Sequence, residues 1–173
     1  MRRSIAAAGT AIFFVLAPGV VAGLVPWWLT GWRVRQPLPW WAWAPLRVVG
    51  GVLIAAGVVV LVPAFVRFVA EGAGTPAPVA PTEHLVVGGL YRHVRNPMYL
   101  AVVATIVGQA LALGQSTLLL YAAAVAAAMA AFVHYYEEPA LAHQFGARYR
   151  AYQQAVPAWW PRRHPWRPGE DDS

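Results

Sequence analysis

The sequence predicts an all-α integral membrane protein with about four transmembrane helices, a C-terminal amphipathic helix and both termini in the cytoplasm. Three observations predict it. Only 12% of the 173 residues are charged and 59% are hydrophobic, whereas soluble domains carry about 25% charged residues. The mean hydropathy is +0.49, and several apolar runs approach about 20 residues, the length that crosses a bilayer. The cationic residues gather at the ends of those runs and form no continuous basic face, so the net charge of +6 reads as membrane topology and not as a nucleic-acid footprint.

Met1-Arg2-Arg3 precedes an apolar run that predicts a first transmembrane helix over about 5–29. The run ends in Pro26-Trp27-Trp28, an interfacial anchor, and not in the small residues of a signal-peptide cleavage site. Pro18 and Gly19 are expected to bend it. Residues 30–45 then read as a loop. Its aromatic cluster, Trp32, Trp40, Trp41 and Trp43 after Trp27 and Trp28, fits a belt at the headgroup level.

A second span is expected over about 46–70. Gly50, Gly51 and Gly57, with Ala55 and Ala56, give it small faces for close packing, and Arg67 near its end should reach the headgroups. Residues 71–96 form a Gly- and Pro-rich polar connection. Asn96 precedes a proline and is biased away from helical geometry, while Pro97 suits a first helical position. A third span follows over about 97–113. Gly114-Gln115-Ser116 is short enough to force a tight hairpin into a fourth span over about 117–136.

Glu137-Glu138-Pro139 reads as the end of that helix. Anions at the C-terminal end of a helix dipole are unfavourable unless something compensates them, which marks the pair. A surface helix is expected over about 139–155, because Leu141, Phe145, Tyr149, Tyr152 and Val156 make one apolar-aromatic stripe. A Pro/Trp/Arg-rich tail and an acidic end, Gly169-Glu170-Asp171-Asp172-Ser173, complete a single membrane domain over 1–173.

Ten arginines (Arg2, Arg3, Arg67, Arg92, Arg95, Arg148, Arg150, Arg162, Arg163 and Arg167) then share one side of the membrane. Only Arg33, Arg35 and Arg47 lie on the other. The positive-inside rule assigns the first side to the cytoplasm. Every cation is arginine, which with the Ala, Val, Gly and Pro bias reads as codon usage. The cell's inner (plasma) membrane is the expected location. With no cysteine, disulfides, thiolate metal sites and cysteine nucleophiles are excluded.

The same reasoning brings two polar stretches together at the cytoplasmic mouth. One is Gly88–Tyr99, with Tyr91, Arg92, His93, Arg95, Asn96, Pro97 and Tyr99. The other is Glu137-Glu138, followed by Tyr149 and Tyr152, with Tyr135 and Tyr136 also near. Guanidinium groups, carboxylates and phenol rings in one place suit a zwitterionic ligand with an aromatic base. S-adenosylmethionine has a carboxylate for arginine, an ammonium and ribose hydroxyls for glutamate, and an adenine for tyrosine. The same arginines also serve as topology determinants, and the same glutamates would sit comfortably in water. Thr105 and Gln109, one turn apart, read either as lining a substrate route or as bonding a neighbouring helix.

The string Gly89-Leu90-Tyr91-Arg92-His93-Val94-Arg95-Asn96-Pro97-Met98-Tyr99 resembles the RHPxY-type motif of the isoprenylcysteine carboxyl methyltransferase and phospholipid methyltransferase superfamily. Glu137-Glu138, then Phe145-Gly146-x-x-Tyr149-x-x-Tyr152 and Val156-Pro157, resemble its later blocks. The resemblance spans roughly 71–161. It implies an S-adenosylmethionine site capped by the C-terminal segment, with a lipophilic small molecule or lipid reaching the methyl group from the bilayer. Arg95, Pro97 and Tyr99 match the first block, Glu137 and Glu138 the acidic pair, Tyr149 and Tyr152 the last block. On this reading Glu138 and Arg95 are the essential residues, and no metal is expected. Two positions depart from the motif: Asn96 stands where the family has His, and Ala158 where it often has Arg, with Arg162 or Arg163 as a substitute. Membrane sterol-type reductases, which bind NADPH, share an Arg-x-Pro-x-Tyr block. The adjacent carboxylates argue against phosphates and so against that reading, and a non-enzymatic membrane scaffold is the third alternative. Membrane lipids are the expected surroundings, no nucleic acid is expected, and the sequence carries no sign of oligomeric state.

Overall fold

A computed structural model of the chain describes residues 18–72 and 84–167. Residues 5–17 of the expected first span, the Arg2-Arg3 start, the side chain of Arg67, the Gly/Pro connection over 73–83 and the acidic end lie outside the described residues. The described chain is helical, with no strand. Its elements are α1 (Val20–Thr30, of which Val20–Leu24 is π-helical), α2 (Trp40–Gly72), α3 (Pro97–Leu113), α4 (Ser116–Phe132), α5 (Glu138–Phe145) and α6 (Ala147–Ala155). A 3-10 turn occupies Gly89–Arg92, and a second π-helical turn, Val133–Glu137, joins α4 to α5.

Two stretches are long and apolar enough to cross a bilayer, Trp40–Ala64 and Ser116–Phe145, and both leave most of their surface uncovered. Val48, Val52, Val59 and Leu120 are exposed on them. Contiguous apolar surface of this kind is what a membrane protein turns to lipid and what a soluble protein buries. α1 and α3 are shorter apolar helices.

Helix α3 is the centre of the molecule. Ile106 is fully buried on it, and Val102 and Ala110 nearly so, packed with Leu118 and Ala122 of α4. On its other side α2 approaches so closely that side chains are excluded. A Cβ on Gly50 would lie 2.6 Å from the Gly108 carbonyl oxygen and the Ala112 nitrogen, and one on Gly57 would strike Thr105 Oγ1. The small face that the sequence offers is therefore the Gly50/Gly57 row, while Gly51 faces open space. Such crossings let backbones touch where lipid provides no hydrophobic drive for association.

Two helix boundaries differ from the sequence reading. Helix α2 starts at Trp40 and not near residue 46. Trp40, Trp41 and Trp43 therefore belong to its first turns, and Pro39 opens it by accepting the Ala42 and Trp43 amides at 3.0 Å. Pro39 precedes the helix, where proline is tolerated, and Pro45 lies inside its second turn. The surface helix, expected as one piece, breaks at Gly146, whose φ of +56° closes α5. Its stripe survives the break: Tyr149, Tyr152 and Val156 are buried with Leu141 and Phe145 against them.

Candidate active site

The cluster is assembled where α3 begins. Asn96, with φ −119° and ψ 55°, is non-helical, and Pro97 occupies the first turn of α3, as the X-Pro restriction requires. This turns Arg95 and Tyr99 toward the end of α4. Leu100 donates to the Asn96 carbonyl at 3.2 Å.

The acidic pair does not end a helix, which corrects the sequence reading. Glu138 N–H donates to Val133 O, an i→i−5 bond, and the chain runs on through the π turn into α5. Pro139 has no N–H to give, and its ring would crowd the Tyr135 carbonyl in a regular helix; widening the turn relieves the crowding. Glu138 thus sits where the π turn passes into α5, inside a continuous helical run, and its charge is met by Arg95 and not by a free helix end. Neighbouring residues of a regular helix point about 100° apart. Here Glu137 and Glu138 both reach the start of α3. Tyr99 Oη donates to Glu137 Oε2 at 3.1 Å, and Arg95 Nη1 donates to Glu138 Oε1 at 2.5 Å.

Arg95 is the hub. Its Nε donates to Val156 O at 2.9 Å and its Nη1 also to Tyr149 Oη at 3.2 Å. Among the described residues the Nη2 edge makes no hydrogen bond. The ion pair is shielded, with side-chain exposures of 13% for Arg95 and 19% for Glu138, so it is stronger than a surface pair and still reachable. Burial pushes the Tyr149 phenol up, with Glu138 acting in the same direction against Arg95. Burial does the same at Tyr152. Both phenols therefore stay protonated across the physiological range.

The remaining predicted residues hold a strap over the cluster. Arg92 Nε donates to Trp166 O at 2.6 Å, and Trp166 N donates back to Arg92 O at 2.9 Å. His93 Nδ1 lies 3.0 Å from Arg162 O, and Arg162 N donates to His93 O at 2.9 Å. Because Arg162 O is a carbonyl, His93 Nδ1 is the protonated nitrogen. Tyr152 Oη donates to Tyr91 O at 2.6 Å, and Tyr91 is buried against Ala64 and Val86. Arg92, His93, Tyr91 and Tyr152 thus position segment 156–166, while Arg95, Tyr99, Glu137, Glu138 and Tyr149 converge.

The two departures from the motif meet. Asn96 Nδ2 donates to Ala158 O at 3.2 Å, so the amide fixes the strap through a backbone atom that any residue at 158 would present. Arg162 Nη1 caps α6 at Ala155 O and Arg163 is exposed; neither enters the cluster. Tyr135 and Tyr136 are also turned out, Tyr136 stacking on Phe132 at 5.1 Å. Sequence reasoning missed Trp166, whose ring packs on Tyr152 at 5.4 Å. Its signal was a tryptophan in a proline-rich tail, a large apolar side chain that a solvated tail would leave in water.

Thr105 and Gln109 hold helices. Thr105 Oγ1 donates to Ala101 O at 2.8 Å. Gln109 Nε2 donates to Ala22 O at 2.6 Å, and Gln109 Oε1 accepts from Trp32 Nε1 at 3.2 Å. Among the described residues there is no group of three or more His, Cys, Asp and Glu able to hold a metal.

No curated protein and no solved structure matches the chain. A family model described as phospholipid methyltransferase matches residues 46–148, from the close crossing of α2 with α3 through the acidic pair to the start of α6. The match takes in Arg95, Tyr99, Glu137 and Glu138 together and covers more than half of the chain, and so the chain belongs to the phospholipid methyltransferase family, within the isoprenylcysteine carboxyl methyltransferase-like superfamily.

Proposed function

We propose that this protein catalyses S-adenosylmethionine-dependent methyl transfer to a lipophilic small molecule or lipid at the cytoplasmic face of the membrane. The observation that carries the reading is the convergence of Arg95, Glu138, Glu137, Tyr99 and Tyr149 beneath the 156–166 strap. The donor set fits the cofactor. A guanidinium with an uncommitted edge suits a carboxylate, two shielded carboxylates suit an ammonium and a ribose diol, and phenol rings suit an adenine. When bound, the cofactor supplies an electrophilic methyl group on a sulfonium.

The chain's own part is positioning. Arg95 and Glu138 hold opposite charges at fixed places, so a zwitterion is oriented without reorganising the site. Tyr149 stays protonated and therefore braces the guanidinium without adding negative charge. The strap excludes water from above, and the apolar faces of α2 and α4 leave the membrane side open to a lipophilic acceptor. A carboxylate or thiolate acceptor needs no general base here. For an amine or hydroxyl acceptor, Glu137, a carboxylate that accepts a hydrogen bond from Tyr99, is the group in the cluster able to receive a proton.

Isothermal titration of the purified protein with S-adenosylmethionine tests this. Glu138→Gln keeps shape and removes charge. Loss of one charge-assisted hydrogen bond is worth roughly 1.5 kcal/mol or more, so affinity should fall about tenfold with folded protein retained. Unchanged affinity would remove Glu138 from the site. Binding of NADPH but not of S-adenosylmethionine would overturn the reading, and mass spectrometry of lipids methylated in vitro would name the acceptor.

A further inference from the structure

We propose that the end of the molecule opposite the Arg95 cluster binds the headgroup of an anionic membrane lipid through Arg33, Arg35 and Arg47, set in a collar of exposed tryptophans. This is independent of the methyl-transfer reading. The loop that carries the arginines is built. Gly31 and Trp32 take consecutive left-handed conformations, with φ of 57° and 50°, a costly arrangement for tryptophan. Three bonds pin the loop to the α3–α4 end. Arg35 N donates to Leu113 O at 2.8 Å, Gln115 Nε2 to Arg33 O at 2.7 Å, and Trp32 Nε1 to Gln109 Oε1 at 3.2 Å. These bonds use the backbones of Arg33 and Arg35 and leave their side chains exposed. Arg47 is exposed too, its guanidinium 4.7 Å above the Trp43 ring.

Among the described residues no carboxylate forms an ion pair with them. The first acidic residue of the chain is Glu71, and residues 84–136, which include all of α3 and α4, carry none. Among the described residues, therefore, these three arginines stand on a surface without a carboxylate. The same part of the chain exposes Trp28, Trp40 and Trp41, each about two-thirds exposed or more. Indole rings settle at the headgroup level and guanidinium groups recognise phosphodiesters. Each arginine near an anionic headgroup favours it over a neutral one by about 1 kcal/mol, roughly fivefold.

The test is tryptophan quenching of the full chain in mixed micelles by brominated phosphatidylglycerol and, separately, brominated phosphatidylcholine. Six of the nine tryptophans lie between Trp27 and Trp43, so the signal is dominated by this end. The wild type should prefer the anionic lipid by at least about fivefold at moderate salt. The preference should vanish in R33Q/R35Q/R47Q, while the three tryptophans after residue 158 quench as before. Equal quenching by the two lipids in the wild type overturns the proposal by itself. So does a preference that survives the triple substitution. Should the triple variant fail to fold, Arg47→Gln alone must lower the preference about fivefold. Displacement of the lipid by millimolar inorganic phosphate would assign the arginines to a free ion and overturn the lipid as occupant.

Discussion

The molecule contains the same irregularity twice, in Val20–Leu24 of α1 and in Val133–Glu137 between α4 and α5. Each is a five-residue π turn that begins at a valine, with a proline six residues after that valine, at Pro26 and Pro139. In each, the residue before the proline donates its N–H back to the valine carbonyl, Val25 to Val20 and Glu138 to Val133. What differs is the use made of the turn. At α1, where Pro26 withholds one helical N–H, the Val21 and Ala22 carbonyls accept from Tyr121 and Gln109 of neighbouring helices at 2.8 and 2.6 Å. At α4, the equivalent residues His134 and Tyr135 are exposed and require no donor from the protein. There the turn re-aims side chains: the positions of Leu24 and Val25 are taken by Glu137 and Glu138, which meet Tyr99 and Arg95. One turn is a joint between helices and the other builds the candidate site. The same backbone device serves either end, depending on whether its carbonyls or its side chains face the core.

The sharpest way to break the second turn's role is Arg95→Lys. Lysine keeps the charge but cannot serve Val156 O, Glu138 and Tyr149 at once from one planar fork. Losing about two charge-assisted bonds, roughly 3 kcal/mol together, should lower kcat/KM about 100-fold. The far-ultraviolet spectrum should stay unchanged. Activity within a few-fold of wild type would show that the hub is structural.

The two prolines give a paired test. Pro139→Ala restores a donor for Tyr135 O and lets the turn relax toward regular helix, which swings Glu138 away from Arg95. Methyl transfer should drop about tenfold, the equivalent of one lost charge-assisted bond, and thermal stability should hold or rise. Pro26→Ala does the reverse. Pro26 is fully buried, so truncation leaves a cavity and lowers stability by about 1 kcal/mol, while kcat/KM per folded molecule stays put. Both variants losing activity in proportion to stability would erase the distinction between the turns.

How far the sequence discloses these features depends on what kind of interaction makes them. The helices α3 and α4, the non-helical Asn96 before Pro97 and the apolar stripe through Tyr149, Tyr152 and Val156 follow from periodicity and proline chemistry, and the structure has them. The nearness of Arg95 to Glu138 follows from the short hairpin at Gly114. What stays hidden is register. Glu-Glu-Pro reads as a helix end because proline ordinarily stops a regular helix, and nothing local says that a π turn will absorb it. Arg92 and His93 look like site residues because they are polar neighbours of Arg95, yet their partners are backbone carbonyls some 70 residues later. A carbonyl leaves no trace in side-chain identity. Gln109 and Tyr121 are concealed for the same reason, since what they satisfy is created by Pro26 on another helix.

Those two residues supply the finest test of the first turn. Gln109→Leu leaves the part-buried Ala22 O without its side-chain partner and frees the exposed Trp32 Nε1. An orphaned buried group costs about 1–3 kcal/mol, read as a lowered midpoint in thermal unfolding in detergent, with kcat/KM per folded molecule unchanged. Tyr121→Phe is milder, because it removes a single neutral bond to Val21 O and keeps the ring, so about 0.5–1.5 kcal/mol is expected. The double variant separates the two accounts of the turn. If Gln109 and Tyr121 serve one broken turn, the first loss already loosens Val20–Leu24, and the second costs less than it does alone. A double-mutant cycle should then show a coupling of about 0.5 kcal/mol or more. Strict additivity would mean that the two carbonyls are independent, and that Pro26 creates two unrelated defects and not one joint.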